Sequence, residues 1–177
     1  MKSVKKITLS GVLSAFALIC FMLENLFPPL FVVGGRLGIA NFFMLIAGIL
    51  LGFWYGAGVL TVKCVLSSIM TGNFGAILYS LPAGAIAYVA QMTIILFAPK
   101  ISVVAASVLG GVINACVQNL TFCLITATPE YLTYIPYLAL VGLMGGAVVG
   151  TAVYLTIKYL PERVLYNLTK EQESEHS

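Results

Sequence analysis

Apolar runs of about membrane-crossing length, separated by short polar, proline- or glycine-bearing breaks, fill almost the whole chain. The first run lasts from Ile7 to about Phe27 and follows Lys2, Lys5 and Lys6. About 20 apolar residues in a helix cross roughly 30 Å of hydrocarbon. No small-residue cleavage site follows this run, so it reads as a span and not as a secretory signal. Pro28-Pro29 ends it, and Phe31 to Gly38, with its glycines and Arg36, reads as a loop.

Further spans are expected over Ile39–Phe53, Ala57–Met70, Phe74–Phe97, Ile101–Ile125 and Tyr134–Leu160. Gly56 and Gly58 flank the break between the second and third, and five spans result if that break is absent. Thr71-Gly72-Asn73 and Pro99-Lys100 punctuate the middle of the chain, and a polar loop covers Thr126–Thr133. Pro82 falls inside the fourth span, where it predicts a kink that neighbouring helices can accommodate. The pattern predicts an all-α, polytopic membrane protein of about six transmembrane helices. Residues 1–160 form a single helical domain, and residues 161–177 a polar tail.

Composition agrees with lipid as the solvent. Of 177 residues 60% are apolar and 8% charged, whereas a soluble domain carries about 25% charged residues. The net charge of +3 is small, with lysines at the chain ends, and offers nothing to nucleic acid. Lys2, Lys5, Lys6, Lys100, Lys158, Arg163 and Lys170 fall on one side of the six-span arrangement and Arg36 alone on the other. That asymmetry orients both termini to the cytoplasm of a cell-membrane protein. Cys20, Cys64, Cys116 and Cys123 all sit in apolar stretches with no CxxC spacing, and the one histidine, His176, is in the tail. They read as small buried hydrophobes, with no zinc site and no disulfide framework.

Small residues recur every fourth position at Gly11 and Ala15, at Gly48, Gly52 and Gly56, at Ala106 and Gly110, and at Gly142, Gly146 and Gly150. Such stripes let helix backbones approach closely in lipid. They serve packing within one bundle, or one stripe, that of the first span, is reserved for a partner membrane subunit.

Polar residues at bilayer depth are the candidate functional groups, because a charge there costs about 2.5–3.5 kcal/mol on insertion scales. Glu24 and Asn25 lie at the outer end of the first span, Arg36 and Asn41 bracket the start of the second, and Lys63 lies well inside the third. Tyr79 and Ser80 come early in the fourth, and Asn114 and Gln118 share a face of the fifth beside Asn119. Two readings compete. In one, Glu24 pairs with Lys63 or Arg36 and the amides hold helices together. In the other, the cluster lines an outward-facing pocket with walls from Phe27, Tyr79 and Phe122. Arg36 and Lys63 there receive an anionic or strongly polar group, and Glu24, Asn41, Asn114 and Gln118 orient the rest.

The chain has no aspartate and no GxxxxGK[ST] loop, and no nucleophile stands near a base. P-loop ATP hydrolysis, diphosphate chemistry on aspartate-held magnesium, and catalysis by this chain alone are therefore not expected. No cofactor or metal is implied. Active transport would need its energy from another subunit.

Three segments carry a resemblance. Leu23-Glu24-Asn25-Leu26-Phe27-Pro28, Arg36-Leu37-Gly38-Ile39-Ala40-Asn41, and Leu78-Tyr79-Ser80-Leu81 with Gly84 resemble the Gx transporter family. That family is often labelled heptaprenyl diphosphate synthase component I, and the likeness covers about residues 7–160. The family in turn looks like the S components of energy-coupling factor (ECF) transporters. This implies a six-helix, S-component-like bundle that binds a vitamin-like molecule from outside. It also implies docking onto a transmembrane coupling subunit with two ATPases through small residues of the first helix, here Gly11, Ser14 and Ala15. The family tends to carry Lys where Arg36 stands. It also tends towards His-Asn where Asn114 and Ala115 stand, so an imidazole role at that site is lost or replaced, while Gln118 is retained.

The leading expectation is a substrate-binding membrane subunit for uptake of a vitamin-like or isoprenoid- or quinone-related molecule. The alternative is a non-catalytic membrane component of a heptaprenyl diphosphate synthase in quinone biosynthesis. A scaffold without a ligand is the third option.

Overall fold

A computed structural model describes residues 2–26, 38–98 and 100–160. Arg36, Phe27, the Pro28-Pro29 pair, Pro99 and the tail from residue 161 lie outside the described residues, and Asn25 is described only as backbone within the first helix. The described chain is all-α: α1 Lys2–Leu26, α2 Asn41–Leu50, α3 Phe53–Thr71, α4 Gly75–Phe97, α5 Val103–Thr126, a 3₁₀ turn over Pro129–Tyr134, and α6 Ile135–Tyr159. Five of these helical segments are long and apolar enough to cross a membrane.

Local chemistry accounts for several helix ends. The Ser102 side chain accepts a hydrogen bond from the Ala105 N–H at 3.1 Å and starts α5, in the manner of an N-cap. Gly72 ends α3 with φ 67°, a left-handed C-cap that costs glycine little. Pro136 in the first turn of α6 sits where its missing N–H has no partner to lose. α4 runs continuously through Pro82.

The second expected span is where the structure departs from the sequence pattern. α2 has 10 residues, about 15 Å and so half the hydrocarbon thickness. Its end falls at Gly52, whose φ of 115° and ψ of 161° suit glycine far better than any residue with a Cβ. Gly56 and Gly58, expected at the break, lie inside α3. A Cβ on Gly56 would lie 2.8 Å from the Gly48 Cα, so α2 and α3 fold back on one another about Gly52 as a tight hairpin. α2 stays apolar although short because it is enclosed. Met44 to Gly48 are buried, and the helix touches α1, α3, α4 and α6.

The remaining helices pack in sequence order and antiparallel. Gly84 of α4 meets Leu60 of α3, Gln91 of α4 reaches Ser107 and Gly110 of α5, and Gly111, Gly146 and Gly150 bring α5 and α6 into backbone contact. Lys6 lies 5.7 Å from the centre of the Tyr55 ring, which sets the start of α1 beside the α2–α3 turn. One end of the bundle therefore holds the N-terminal end of α1, that turn, the α4–α5 connection and the end of α6. Lys2, Lys5, Lys6, Lys100 and Lys158 are at this end, and Glu24 and Glu130 are at the other. Although α2 alone is too short to cross, the chain between Leu26 and Gly52 passes from one end to the other.

The periphery is apolar. Val4, Ile7, Phe16, Ile19 and Leu23 of α1 and Leu140, Met144 and Val148 of α6 are exposed, as helices facing hydrocarbon require.

Candidate functional site

The helices enclose a cavity of about 580 Å³, within the range of small-molecule sites. On α4 it is lined from Ala76 to Gln91 and on α5 from Ser107 to Phe122, about 22 Å along each helix axis. Its polar end is the acidic end of the bundle, where Asn73, Asn119 and Tyr131 also line it.

The wall from α1, α2 and α3 is a chain of polar contacts. The Glu24 carboxylate accepts the Ile39 N–H at 2.7 Å and so ties the end of α1 to the turn that enters α2. Asn41 starts α2, its N–H bonded to the Gly38 carbonyl at 2.9 Å. The Lys63 ammonium donates to Asn41 Oδ1 at 2.7 Å. Lys63 is half-buried and lines the cavity, so its charge lies against a polar hollow and not in lipid.

The opposite wall comes from α4, α5 and the 3₁₀ turn. Asn114 and Gln118, one helical turn apart, both line the cavity. Among the described residues, the side chains of Asn114, Gln118 and Tyr79 hydrogen-bond to no other residue. Asn119 donates to the Tyr131 carbonyl at 2.9 Å and pins the 3₁₀ turn over the cavity. Tyr79, Phe122 and Tyr131 meet edge-on in succession, with ring centres 5.5 Å apart in each pair. The aromatic chain forms one side of the mouth.

Of the residues singled out from the sequence, Glu24, Asn41, Lys63, Tyr79, Asn114 and Gln118 line this one cavity. Arg36 and Phe27 lie outside the described residues. In the proposed docking stripe, Gly11 and Ala15 are exposed while Ser14 is buried and bonded to the Ser10 carbonyl. Sequence reasoning passed over Gln91 and Ser107, which line the end of the cavity farthest from the aromatic mouth. Gln91 is the one amide in α4, and that isolation was the available signal. Ser107 sits in a stretch of small residues and carried none.

The site offers one ammonium, one carboxylate, several amides and aromatic faces. Among the described residues no three His, Cys, Asp or Glu side chains gather as a metal site would require. The arrangement suits reversible recognition of a molecule with polar groups at separate points.

The profile of the heptaprenyl diphosphate synthase component I family matches residues 13–156, most of the chain. The chain belongs to this family. Neither a curated protein nor a solved structure matches it. The family members' matched region takes in α2 to α5 whole and nearly all of α6, and hence every described residue of the cavity wall.

Proposed function

We propose that this heptaprenyl diphosphate synthase component I family member is a non-catalytic membrane subunit that binds a small molecule inside the bilayer. The cavity carries this reading: Lys63 stands on one wall and the uncommitted amides of Asn114 and Gln118 on the other. A polar or anionic group at Lys63 gains a charge-assisted hydrogen bond in a low-dielectric setting, where such bonds are strongest. The lysine-rich end faces the cytoplasm of the cell membrane by the positive-inside bias, so the mouth opens outward. Uptake then draws its energy from separate ATPase and coupling subunits, docked on the exposed Gly11 and Ala15 side of α1.

A second reading is favoured by the family match itself. Here the chain is the non-catalytic membrane component of a heptaprenyl diphosphate synthase in quinone biosynthesis, and the cavity holds a substrate or product for a separate catalytic subunit. For the identity of the partner the family description speaks for this reading over uptake. Both share the bound small molecule.

Isolation of the tagged chain from its own membranes, with native mass spectrometry of the released complex, tests them. Both readings predict a small molecule of defined mass on the protein. An ATPase with a membrane coupling subunit in the complex supports uptake, and a soluble prenyl synthase supports the second reading. An empty protein with neither partner overturns both and leaves a scaffold.

A further inference from the structure

The end of the cavity farthest from the aromatic mouth holds two hydrogen-bonding groups that the fold itself leaves unused. Gln91 is 5% exposed and Ser107 1% exposed, and both line the cavity. Gln91 Oε1 and Ser107 Oγ are buried without a hydrogen-bond partner. The only bond between the pair is a long one, from Gln91 Nε2 to the Ser107 carbonyl at 3.4 Å. Elsewhere in the bundle Ser14, Ser68, Thr71 and Thr156 each donate to the carbonyl one turn back. The Ser107 hydroxyl does not.

Buried polar groups are almost always paired, and an orphan costs about 1–3 kcal/mol. A pair of orphans at one end of a ligand-sized hollow is therefore a place to look for a ligand group. The surroundings also make room for them. A Cβ on Gly110 would overlap the Gln91 side chain, and one on Gly150 would lie 2.8 Å from the Ser107 Cβ. Bare backbone on α5 and α6 lets the two polar side chains occupy a seam that larger residues would close.

Gln91 Oε1 accepts only, and the Ser107 hydroxyl both donates and accepts. Together they match a neutral group that donates one hydrogen bond and accepts another. We propose that Gln91 and Ser107 form the second recognition point of the ligand, seating a hydroxyl or the N–H/C=O edge of an amide or lactam. The polar or anionic end stays at Lys63. This deepens the binding reading above and rests on it. Leu60 of α3 faces Gly84 of α4, so Lys63 and Gln91 stand about 10 residues, or on the order of 15 Å, apart along the bundle axis. The ligand is accordingly an elongated molecule with polar ends, and its middle passes Leu60, Val141 and the glycine faces.

The test uses the full-length protein in nanodiscs and six probes: 3-phenylpropanoate, 4-phenylbutanoate, 5-phenylpentanoate and the para-hydroxy form of each. Wild type should bind at least one hydroxylated probe about tenfold more tightly than its parent. Ser107→Ala and Gln91→Met should reduce that preference to less than twofold. Lys63→Met should weaken both members of the pair and keep the preference. Ser107→Ala removes one oxygen and perturbs packing least, so it keeps the test decisive if Gln91→Met misfolds. A preference that survives Ser107→Ala and Gln91→Met overturns the inference while the Lys63 effect leaves the binding reading standing. A wild type that binds none of the six, yet carries a co-purified molecule by mass spectrometry, also overturns the inference alone. If Lys63→Met changes nothing and no molecule co-purifies, both fail.

Discussion

Replacing Gly146 by alanine drives a methyl group into the backbone of the neighbouring helix. The added Cβ would lie 2.6 Å from the Ser107 carbonyl oxygen and 2.7 Å from the Val108 Cα, where ordinary contact begins at 3.4 Å. The shortfall of about 0.8 Å falls on backbone atoms, which no rotamer change relieves, so α5 and α6 must separate. A gap of that size forfeits about a quarter to a half of each dispersion contact along the seam. With overpacking as the guide the cost is about 1–3 kcal/mol, on the order of a 5 °C fall in melting temperature for a chain of this size. Gly11→Ala is the matched control: nothing lies within 4 Å of its added methyl. Alanine gains about 0.5–1 kcal/mol over glycine inside a helix, so this variant should melt at or slightly above the wild-type temperature. Thermal unfolding in one detergent, followed by a thiol-reactive dye or by circular dichroism, gives both values. If Gly146→Ala melts no lower than Gly11→Ala, the glycine seam is not what joins α5 to α6.

Three further outcomes follow from single contacts. Lys63→Ala, which removes the partner of Asn41 Oδ1, should abolish binding of the co-purified molecule while the protein still inserts, and wild-type affinity would refute an anionic pocket. Ala127 ends α5 in the left-handed region at φ 52°, a conformation that costs a residue with a Cβ about 1–2 kcal/mol. Ala127→Gly should therefore raise the melting temperature by a few degrees, and a fall would show that the strain is absent. Asn119→Ala removes the bond that holds the Tyr131 carbonyl. Hydrogen exchange over Pro129–Tyr134 should accelerate in this variant while α5 and α6 stay protected, and an unchanged rate would mean that the aromatic contacts alone hold the turn.

Hydropathy read the long helices well because a run such as Gly75–Phe97 must both satisfy its own backbone and face lipid. It could not distinguish the short enclosed α2 from a span. The residues from Ile39 to Phe53 are apolar in either case, and only the Gly52 dihedrals and the close approach of Gly48 to Gly56 reveal a hairpin. The break was expected at Gly56 because spacing alone does not tell a glycine needed for its conformation from one needed for its lack of a side chain. Intramembrane cost drew attention to Lys63, Asn114 and Gln118, and the fold brings their helices around one hollow. Gln91 and Ser107 escaped notice because their interest lies in partners they lack, which only packing reveals. Ser14, placed with Gly11 and Ala15 by the family resemblance, turns into the bundle: it lies about 60° around the helix from position 11 and about 100° from position 15, on the side away from lipid.

The central claim, that the hollow beside Lys63 holds a small molecule, is tested most directly by native mass spectrometry of wild type and Lys63→Ala from the same membranes. A mass increment of one defined small molecule on wild type, missing from an otherwise intact Lys63→Ala, is the predicted result. Identical spectra for the two proteins, with or without an increment, would contradict it.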